Sequence, residues 1–291
     1  MLDTIVVIPC YNEAERLDID RFVRFVTGDP SCRLLLVDDG SLDDTRAVLE
    51  ALAECDPQHL AVLALPQNQG KAEAVRLGVL AAMAQGAKYV GYWDADLATP
   101  LEGIGEFRQR LVGEQQLEVI FGARVRMLGR NIQRRPSRHL LGRAFATVAS
   151  LTLGLGVYDT QCGAKLFRVS PRTERLFRQP FLTNWIFDVE LMARMLSVWG
   201  SRQSVAAAMY EMPLDQWREV AGSKLKPRDF VKALFELVLI YRAYLAGSAD
   251  AWESEVGASG FLEARSGQSD RPVNVSRNVD ARPRQATLIP P

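Results

Sequence analysis

In the first half of the chain, short runs of apolar residues alternate with longer amphipathic stretches. The short runs are rich in Val, Ile, Leu and aromatic residues, which is typical of strands buried on both faces of a sheet. This alternation predicts an α/β fold, in which a mostly parallel sheet carries helices on both faces. We expect strands at 4–8, 33–37, 60–65, 88–93 and 117–123, and helices near 13–26, 43–55, 70–85 and 100–112.

Polar residues follow four of the predicted strands at the points where the strands end. In a parallel sheet these carboxyl ends share one edge, which is where α/β proteins bind their ligands. We therefore expect one polar rim along that edge. The alternative is that these residues are ordinary turn residues and helix caps. The rim comprises Tyr11, Asn12, Glu13, Asp38, Asp39, Lys71, Asp94 and Asp96.

Asp94 and Asp96 form a D-x-D pair at the end of the fourth predicted strand. Two carboxylates so close in sequence repel each other, and a divalent cation can compensate them because Mg²⁺ and Mn²⁺ prefer oxygen ligands. A bound Mg²⁺ commonly completes its shell with substrate phosphates. The sequence has neither a GxxxxGK[ST] loop nor a GxGxxG turn after the first strand, so ATPase and dinucleotide-binding functions lack their main support.

The segment 122–158 contains no Asp or Glu, and its second part, 144–158, is largely apolar. An arginine-rich start with an apolar continuation suits a helix lying in a membrane interface beside anionic head groups. Packing of this helix against the sheet is the alternative. No transmembrane helix is expected, because 144–158 is too short and the other long apolar stretch, 230–246, carries three charges. The arginines are Arg124, Arg126, Arg130, Arg134, Arg135, Arg138 and Arg143.

Composition narrows the function classes further. Lys plus Arg and Asp plus Glu number 35 each, and a net charge of zero argues against a nucleic-acid-binding protein. The four cysteines form no CxxC pair, which argues against a zinc site or a disulfide framework and favours a reducing cytoplasm. The first residues lack the features of a signal peptide. Apolar residues are few in 247–291, so a disordered tail is expected there.

A set of motifs, in order along residues 4–246, carries a resemblance to a known family. The segments VVIPCYNEAERL, LLLVDDGSLDDT, NQGKAEAVRLG and WDADLATP resemble those of a family 2 glycosyltransferase of the GT-A fold. DTQCGAKLF, WIFDVEL and GSKL resemble the dolichyl-phosphate β-glucosyltransferase branch. The resemblance implies a Rossmann-like GT-A domain over 1–246, with a nucleotide-sugar-binding half at about 1–122 and an acceptor half at 123–246.

The same resemblance implies a reaction and roles for individual residues. The donor would be a nucleotide-sugar, with UDP and glucose favoured, bound with Mg²⁺ or Mn²⁺. The acceptor would be a polyprenyl phosphate at the cytoplasmic face of the membrane. Asp96 would be the principal metal ligand, with Asp94 beside it and close to the donor. The acceptor phosphate would be gripped by Arg124, Arg134 and Arg138, and the nucleotide-sugar by Pro9, Tyr11, Asn12, Glu13, Asp38, Asp39, Lys71, Asp94, Lys165 and Lys224.

The chain departs from the relatives that it resembles in three ways. Ala98 stands where the related mannosyltransferases carry a glutamine as a third metal ligand. We expect no counterpart here of the N-terminal membrane anchor of the eukaryotic glucosyltransferases or of the C-terminal transmembrane helices of other polyprenyl-phosphate enzymes. The first departure bears on the strength of metal binding, and the other two make any membrane contact peripheral.

Asp94 and Asp188 are the candidate catalytic residues of an inverting transfer. A hydroxyl acceptor would need a base, for which Asp188 or Glu190, in a helix predicted at 187–198, is the candidate. A phosphate monoester is already a dianion at neutral pH, so Asp188 would then orient a lysine or arginine. The arginines favour the phosphate acceptor. The alternatives are a hydroxyl acceptor in polysaccharide or glycolipid synthesis, and a sugar-nucleotide-binding protein without transferase activity.

Overall fold

The computed structural model describes residues 2–134, 136–220 and 227–246, apart from the side chains of 136–138 and 227–230. The predicted tail at 247–291 lies outside the described residues. The strands are β1 Thr4–Cys10, β2 Cys32–Asp38, β3 Leu60–Ala64, β4 Tyr89–Trp93, β5 Val119–Ala123, β6 Asn131–Gln133, β7 Ala164–Arg168, β8 Met209–Pro213 and β9 Gln216–Arg218. The helices are α1 Ile19–Gly28, α2 Thr45–Cys55, α3 Lys71–Ala84, α4 Gly103–Gly113, α5 Pro136–Leu153, α6 Pro171–Arg178, α7 Phe187–Trp199, α8 Arg202–Ala208 and α9 Pro227–Ile240, which continues as a π-helical turn at Tyr241–Leu245.

Seven strands form the central sheet, in the order β3-β2-β1-β4-β7-β5-β8. β3, β2, β1 and β4 pair in parallel, and β8 is parallel to β5. β7 runs antiparallel to both of its neighbours, β4 and β5, so it is the reversed strand of this sheet. β6 and β9 pair separately. The predicted α/β fold with a mostly parallel sheet is confirmed; the reversed β7 is a feature that strand–helix alternation did not predict.

Alternate residues of β1 build the apolar layers on the two faces of the sheet. Ile5 and Val7 belong to a cluster that includes residues of α3 and α7, whereas Val6 and Ile8 belong to one that includes residues of α1, α2 and α4. Helices therefore cover both faces, as predicted. Among the described helices, none combines the length and the apolar character that a membrane span requires.

Two loops at the sheet edge are longer than the sequence predicted. The helix expected near 13–26 begins only at Ile19, because Asp18 caps its first turn by accepting a hydrogen bond from the Arg21 N–H. The helix expected at 100–112 is observed at Gly103–Gly113. The polar residues that follow β1 and β4 therefore lie in loops at the carboxyl edge of the sheet, and Asn12 has a positive φ of 53° there.

A buried network fixes the start of α7, the helix that carries the candidate catalytic aspartate. Glu190 accepts hydrogen bonds from the backbone N–H of Leu182 (3.0 Å) and Thr183 (2.8 Å). Its carboxylate also pairs with Arg194 Nη2 (2.7 Å) and accepts from Tyr244 Oη (2.8 Å). Glu190 is fully buried in these contacts. Its role is therefore structural, and it does not offer the second candidate base that the sequence suggested.

Replacing Arg194 with Met should destabilise the fold strongly, because it leaves the buried Glu190 carboxylate without its cation. Removal of one partner of a buried pair costs about 3–5 kcal/mol. The matched control is Arg178→Met, which breaks an exposed pair with Glu174 at 3.5 Å and should cost about 0.5 kcal/mol. Urea unfolding measures both free energies. Equal losses in the two variants would contradict the structural role of the Glu190 network.

Candidate functional site

Asp39 joins the end of β2 to the loop between β3 and α3. Its carboxylate accepts hydrogen bonds from the backbone N–H of Gln69 (2.8 Å) and Gly70 (2.9 Å) and from Asn68 Nδ2 (3.0 Å). Burial raises its pKa, and the two backbone donors offset part of that rise. Asp39 therefore holds the loop that leads into α3 and fixes where Lys71 begins that helix.

The polar residues after β1 interlock with those after β2. The Asn12 N–H donates to Ser41 Oγ (3.1 Å), and the Ser41 N–H donates to Asp38 Oδ1 (3.1 Å). The Glu13 N–H donates to Thr45 Oγ1 (2.8 Å). These contacts are those of turn and cap residues, as the alternative interpretation proposed, and they also shape one end of the rim. Asn12 and Asp38 are therefore both turn residues and part of the polar rim.

Asp94 and Asp96 lie at the end of β4 with a lysine beside them. Lys71 Nζ is 2.5 Å from Asp94 Oδ1, and Asp96 Oδ1 accepts a hydrogen bond from the Ala98 N–H (3.0 Å). Burial and the charge of Asp94 raise the pKa of Asp96. Burial lowers the pKa of Lys71, but the carboxylates of Asp94 and Asp188 more than offset this, so its pKa is raised. The repulsion between the two acids is thus only partly compensated by protein charge.

This pair fits a divalent cation that is shared with a substrate. Two carboxylates offer oxygen ligands, which suits Mg²⁺ or Mn²⁺, and Mg²⁺ is often bound through one or two carboxylates plus phosphates. Within the described residues, His, Cys, Asp and Glu side chains form no group of three or more that could hold a metal ion. Asp94 and Asp96 would therefore hold the cation together with the phosphates of a ligand.

Asp188 lies behind the rim in a buried hydrogen-bonding group. Its Oδ1 accepts from Lys165 Nζ (2.6 Å) and from the Tyr92 hydroxyl (2.5 Å). Lys165 also donates to the Cys162 carbonyl (2.6 Å), and its ammonium lies 4.7 Å from the centroid of the Phe121 ring. Lys165 is fully buried. Asp188 therefore orients a lysine, and Tyr92, which sequence reasoning missed, completes the group.

Arg124, at the end of β5, is paired with an aspartate that the sequence analysis did not single out. Arg124 Nε and Nη2 donate to the two carboxylate oxygens of Asp159 at 2.6 and 2.7 Å. Burial raises the pKa of Asp159, but Arg124 outweighs it and holds the pKa well below its usual range. The sequence did carry a signal, because Asp159 is the first acid after the acid-free segment 122–158.

A pocket opens beside this ion pair and brings two further arginines together. Arg134 and Arg143 line it with Arg124 and Asp159, and Thr160 is a further lining residue. Burial and the charge of Arg124 lower the pKa of Arg134. Arg143 and Thr160 are residues that the sequence analysis did not assign to the site. The side chain of Arg138 and the whole of Lys224 lie outside the described residues, so their phosphate roles stay predictions.

The segment 159–163 connects the arginine pocket to the acidic pair. The Asp94 N–H donates to the Gly163 carbonyl (3.1 Å) just before β7 begins. A Cβ on Gly163 would overlap the Asp94 carboxylate, so only glycine permits this approach. Of the sequence-predicted residues, Lys71 lies beside Asp94, Arg124 and Arg134 line the arginine pocket, and Lys165 and Asp188 pair behind the rim. Pro9 lies in β1 and Asp38 in β2, and Tyr11, Asn12, Glu13 and Asp39 follow these strands.

Gly163→Ala should displace the Asp94 carboxylate and lower kcat/KM by about 100-fold, since small misplacements in a site cost rate of that order. Gly156→Ala is the matched control, because a Cβ there meets nothing within 4 Å. Steady-state kinetics with a nucleotide-sugar and melting temperatures measure both variants. A folded Gly163→Ala protein with the activity of the control would contradict this packing of Asp94.

Comparison with known proteins gives the family. The family model described as Glycosyl transferase family 2 matches residues 5–175. The chain is 30% identical over 271 residues to a dolichyl-phosphate β-glucosyltransferase of Homo sapiens, covering 86% of this chain and 77% of that protein. It is 28% identical over 258 residues to the enzyme of the same name from Dictyostelium discoideum, covering 83% and 75%. The resemblance seen in the sequence motifs is confirmed.

Solved structures show the same GT-A fold. Glucosyl-3-phosphoglycerate synthase from Mycobacterium tuberculosis in complex with Mn²⁺ and UDP-glucose is similar with a TM-score of 0.55 and 20% identity, covering 81% of this chain and 79% of that one. Mannosyl-3-phosphoglycerate synthase from Rubrobacter xylanophilus is similar with a TM-score of 0.58 and 18% identity, covering 93% and 78%. At such identities the likeness establishes the fold alone, and the GT-A prediction is confirmed.

Proposed function

Because this chain belongs to glycosyl transferase family 2, we propose that it transfers glucose from UDP-glucose to a polyprenyl phosphate, with inversion at the sugar. The observation that carries the proposal is the proximity of two complementary regions. The Asp94–Asp96 pair suits a cation-bound diphosphate, and the arginine pocket, joined to it by 159–163, suits a second phosphate. The names of the relatives, dolichyl-phosphate β-glucosyltransferases, support the same donor and acceptor classes.

The donor lies along the carboxyl edge of the sheet in this proposal. The interlocked loops after β1 and β2, with Asp39 and Tyr11, receive the nucleoside, and Lys71 contacts the diphosphate as a point charge. The fold neighbour with Mn²⁺ and UDP-glucose supports this class of donor. Asp94 and Asp96 would hold a Mg²⁺ or Mn²⁺, which would supply positive charge for the leaving diphosphate.

The acceptor phosphate occupies the arginine pocket and attacks without a general base. Three arginines and one aspartate line the pocket, a formal balance of +2. A phosphate monoester carries a second pKa near 6 and is mostly a dianion at neutral pH, so its charge matches that balance. Asp188 already accepts from Lys165 and Tyr92, which fits charge balance behind the site better than removal of a proton from a hydroxyl.

A membrane surface is the proposed source of the acceptor. On α5, Gly142, Arg143 and Ala146 line the pocket, and Phe145, Ala149 and Leu153 are buried in the core. A third side of α5 exposes apolar residues, and α9 does the same. This fits an interfacial helix with its arginine end at the phosphate head groups. The exposed apolar residues are Leu140, Leu141, Val148 and Leu151 on α5, and Val231, Leu234, Phe235, Val238 and Leu239 on α9.

The cytoplasmic face of the membrane is the proposed place of action. Cys10, Cys32, Cys55 and Cys162 are all free thiols, which fits a reducing compartment.

Incubation with Mn²⁺, a panel of UDP- and GDP-sugars and a short-chain prenyl monophosphate should yield a lipid-linked glucose from UDP-glucose. Asp96→Asn should lower the rate by at least about 100-fold because a charged cation ligand is lost. The exposed Asp20→Asn in α1 is the control and should keep the rate. Chromatography of the lipid product measures the outcome. Transfer only to sugar or glycolipid hydroxyls would favour the hydroxyl-acceptor alternative, and donors that bind but stay intact would favour the non-catalytic one.

The double variant Leu140→Glu/Leu151→Glu should lose most of its binding to vesicles that contain anionic phospholipid, because it places charge on the apolar side of α5. Val112→Glu, on an exposed apolar residue of α4, is the control and should leave binding unchanged. Flotation of the protein with vesicles measures the bound fraction. Equal binding of wild type and both variants would contradict a membrane contact through α5.

A further inference from the structure

Thr160 is the one lining residue of the arginine pocket whose buried side-chain hydroxyl lacks a partner among the described residues. Thr160 is 1% exposed, and its Oγ1 is buried without a hydrogen-bond partner among the described residues. Buried hydroxyls are normally paired, because loss of water without a new hydrogen bond is unfavourable. Thr160 lines the same pocket as Arg134 and Arg143. An unpaired donor at the wall of a cationic pocket indicates a ligand that accepts a hydrogen bond there.

The three arginines of the pocket are not equivalent. Arg124 uses Nε and Nη2 for its two-pronged pair with Asp159. Arg134 and Arg143, by contrast, have no carboxylate partner within the part of the chain that the structure describes. Arg143 instead donates to the Tyr158 carbonyl and stacks over the Tyr158 ring, with its guanidinium carbon 3.7 Å from the ring centroid. The net positive charge of the pocket therefore resides on Arg134 and Arg143.

The backbone around Thr160 is held from both sides. Asp159 accepts from the Arg124 backbone N–H (3.1 Å) and from the Gln161 N–H (3.2 Å). Glu211 on β8 accepts from the Tyr158 and Asp159 N–H groups at 2.7 and 2.6 Å. The Arg124–Asp159 pair thus acts on the segment that presents the hydroxyl. Room for Arg134 comes from α5, where a Cβ on Gly142 would overlap its guanidinium.

We propose that Thr160 Oγ1, Arg134 and Arg143 bind the phosphate of a phosphate monoester, and that Arg124 is a positioning residue that holds Thr160 through Asp159. This rests on the proposed function insofar as the monoester is the acceptor. The hydroxyl donates to one phosphate oxygen, and the two guanidinium groups donate to the others. The proposal gives Thr160 and Arg143 direct contacts with the phosphate, and it changes the expected role of Arg124 from phosphate binding to positioning.

Thr160→Val and Thr160→Ser test the hydroxyl directly. Val keeps the shape and removes the donor, so KM for a short-chain prenyl monophosphate should rise by about tenfold or more, as when a site loses a hydrogen bond that it was built to make. KM for UDP-glucose should change by less than about twofold. The melting temperature should stay the same or rise, because Val removes an unpaired buried polar group. Ser restores the donor and should restore most of the lost affinity.

Two results would overturn the role of Thr160. One is an unchanged acceptor KM in a folded Thr160→Val protein. The other is a lower melting temperature in Thr160→Val, rescued by Ser, with no selective effect on the acceptor, which would make the hydroxyl a structural group. For Arg124, the charge-balanced change Arg124→Met/Asp159→Asn should raise the acceptor KM no further once Thr160 is Val, because the pair acts through Thr160. Additive losses in the combined variant would overturn that positioning role.

Binding without a donor separates this proposal from the proposed function. Inorganic phosphate, glycerol phosphate and the prenyl monophosphate should each raise the melting temperature of the wild type, and Thr160→Val should lessen each shift. A shift by all three means that the phosphate group is recognised, and a larger shift by the prenyl compound identifies a lipid source. Phosphate-dependent shifts that need Thr160, without any transfer, would support the pocket and reject the proposed reaction. Glucose transfer at an unchanged rate and acceptor KM in Thr160→Val would support the proposed reaction and reject the role of Thr160.

Discussion

Asp94 and Asp96 lie close together at the end of β4, and the electrostatic repulsion between their carboxylates determines which charges must lie near them. Like charges at short range in a partly buried site interact strongly, because little water screens them. Lys71 approaches Asp94 to 2.5 Å, and within the described residues Asp96 has no cationic partner at a comparable distance. In the proposed function, a divalent cation would complete the charge of this site and would in turn attract phosphates.

The ion pairs near the sheet edge fall into two groups that differ in what they can do. Lys165 with Asp188, and Arg124 with Asp159, are buried and matched one to one at 2.6 Å. Such pairs fix geometry and carry no surplus charge. Lys71, Arg134 and Arg143 lie at the accessible side, and the latter two have no carboxylate partner among the described residues. In the proposed function, the second group recognises phosphate and the first supports the site, so the buried Lys165 takes a supporting role and not the nucleotide-sugar contact that the sequence predicted.

The fold was predictable because it depends on local patterns. Apolar runs marked β1 to β5, and the D-x-D pair at the end of β4 marked the site. The reversed direction of β7 was harder to predict, because DTQCGAKLF looks like any short strand and the direction of a strand depends on its pairing, here with β4 and β5. α1 also began later than expected, because the backbone of residues 12–14 bonds to side chains that follow β2 and Asp18 caps the helix.

The partners of individual charges were not predictable from sequence. Asp188 and Lys165 are separated by 23 positions, and Arg124 and Asp159 by 35, so no spacing rule relates them. The arginine-rich segment indicated phosphate binding, but only the packed structure shows that Arg124 is matched and that Arg143 lines the pocket. Thr160 lies in the motif DTQCGAKLF, but nothing in the sequence assigns it a role, because an unpaired buried hydroxyl is a property of the packed structure.

The central claim is that the acidic pair of β4 holds the diphosphate of the donor through a divalent cation. Calorimetric titration of the wild-type protein with UDP, first with Mn²⁺ and then with a chelator in excess, measures it most directly. The account predicts that chelation weakens binding by at least about tenfold, a typical coupling between two ligands that share a site. Equal dissociation constants for UDP in the two titrations would contradict it.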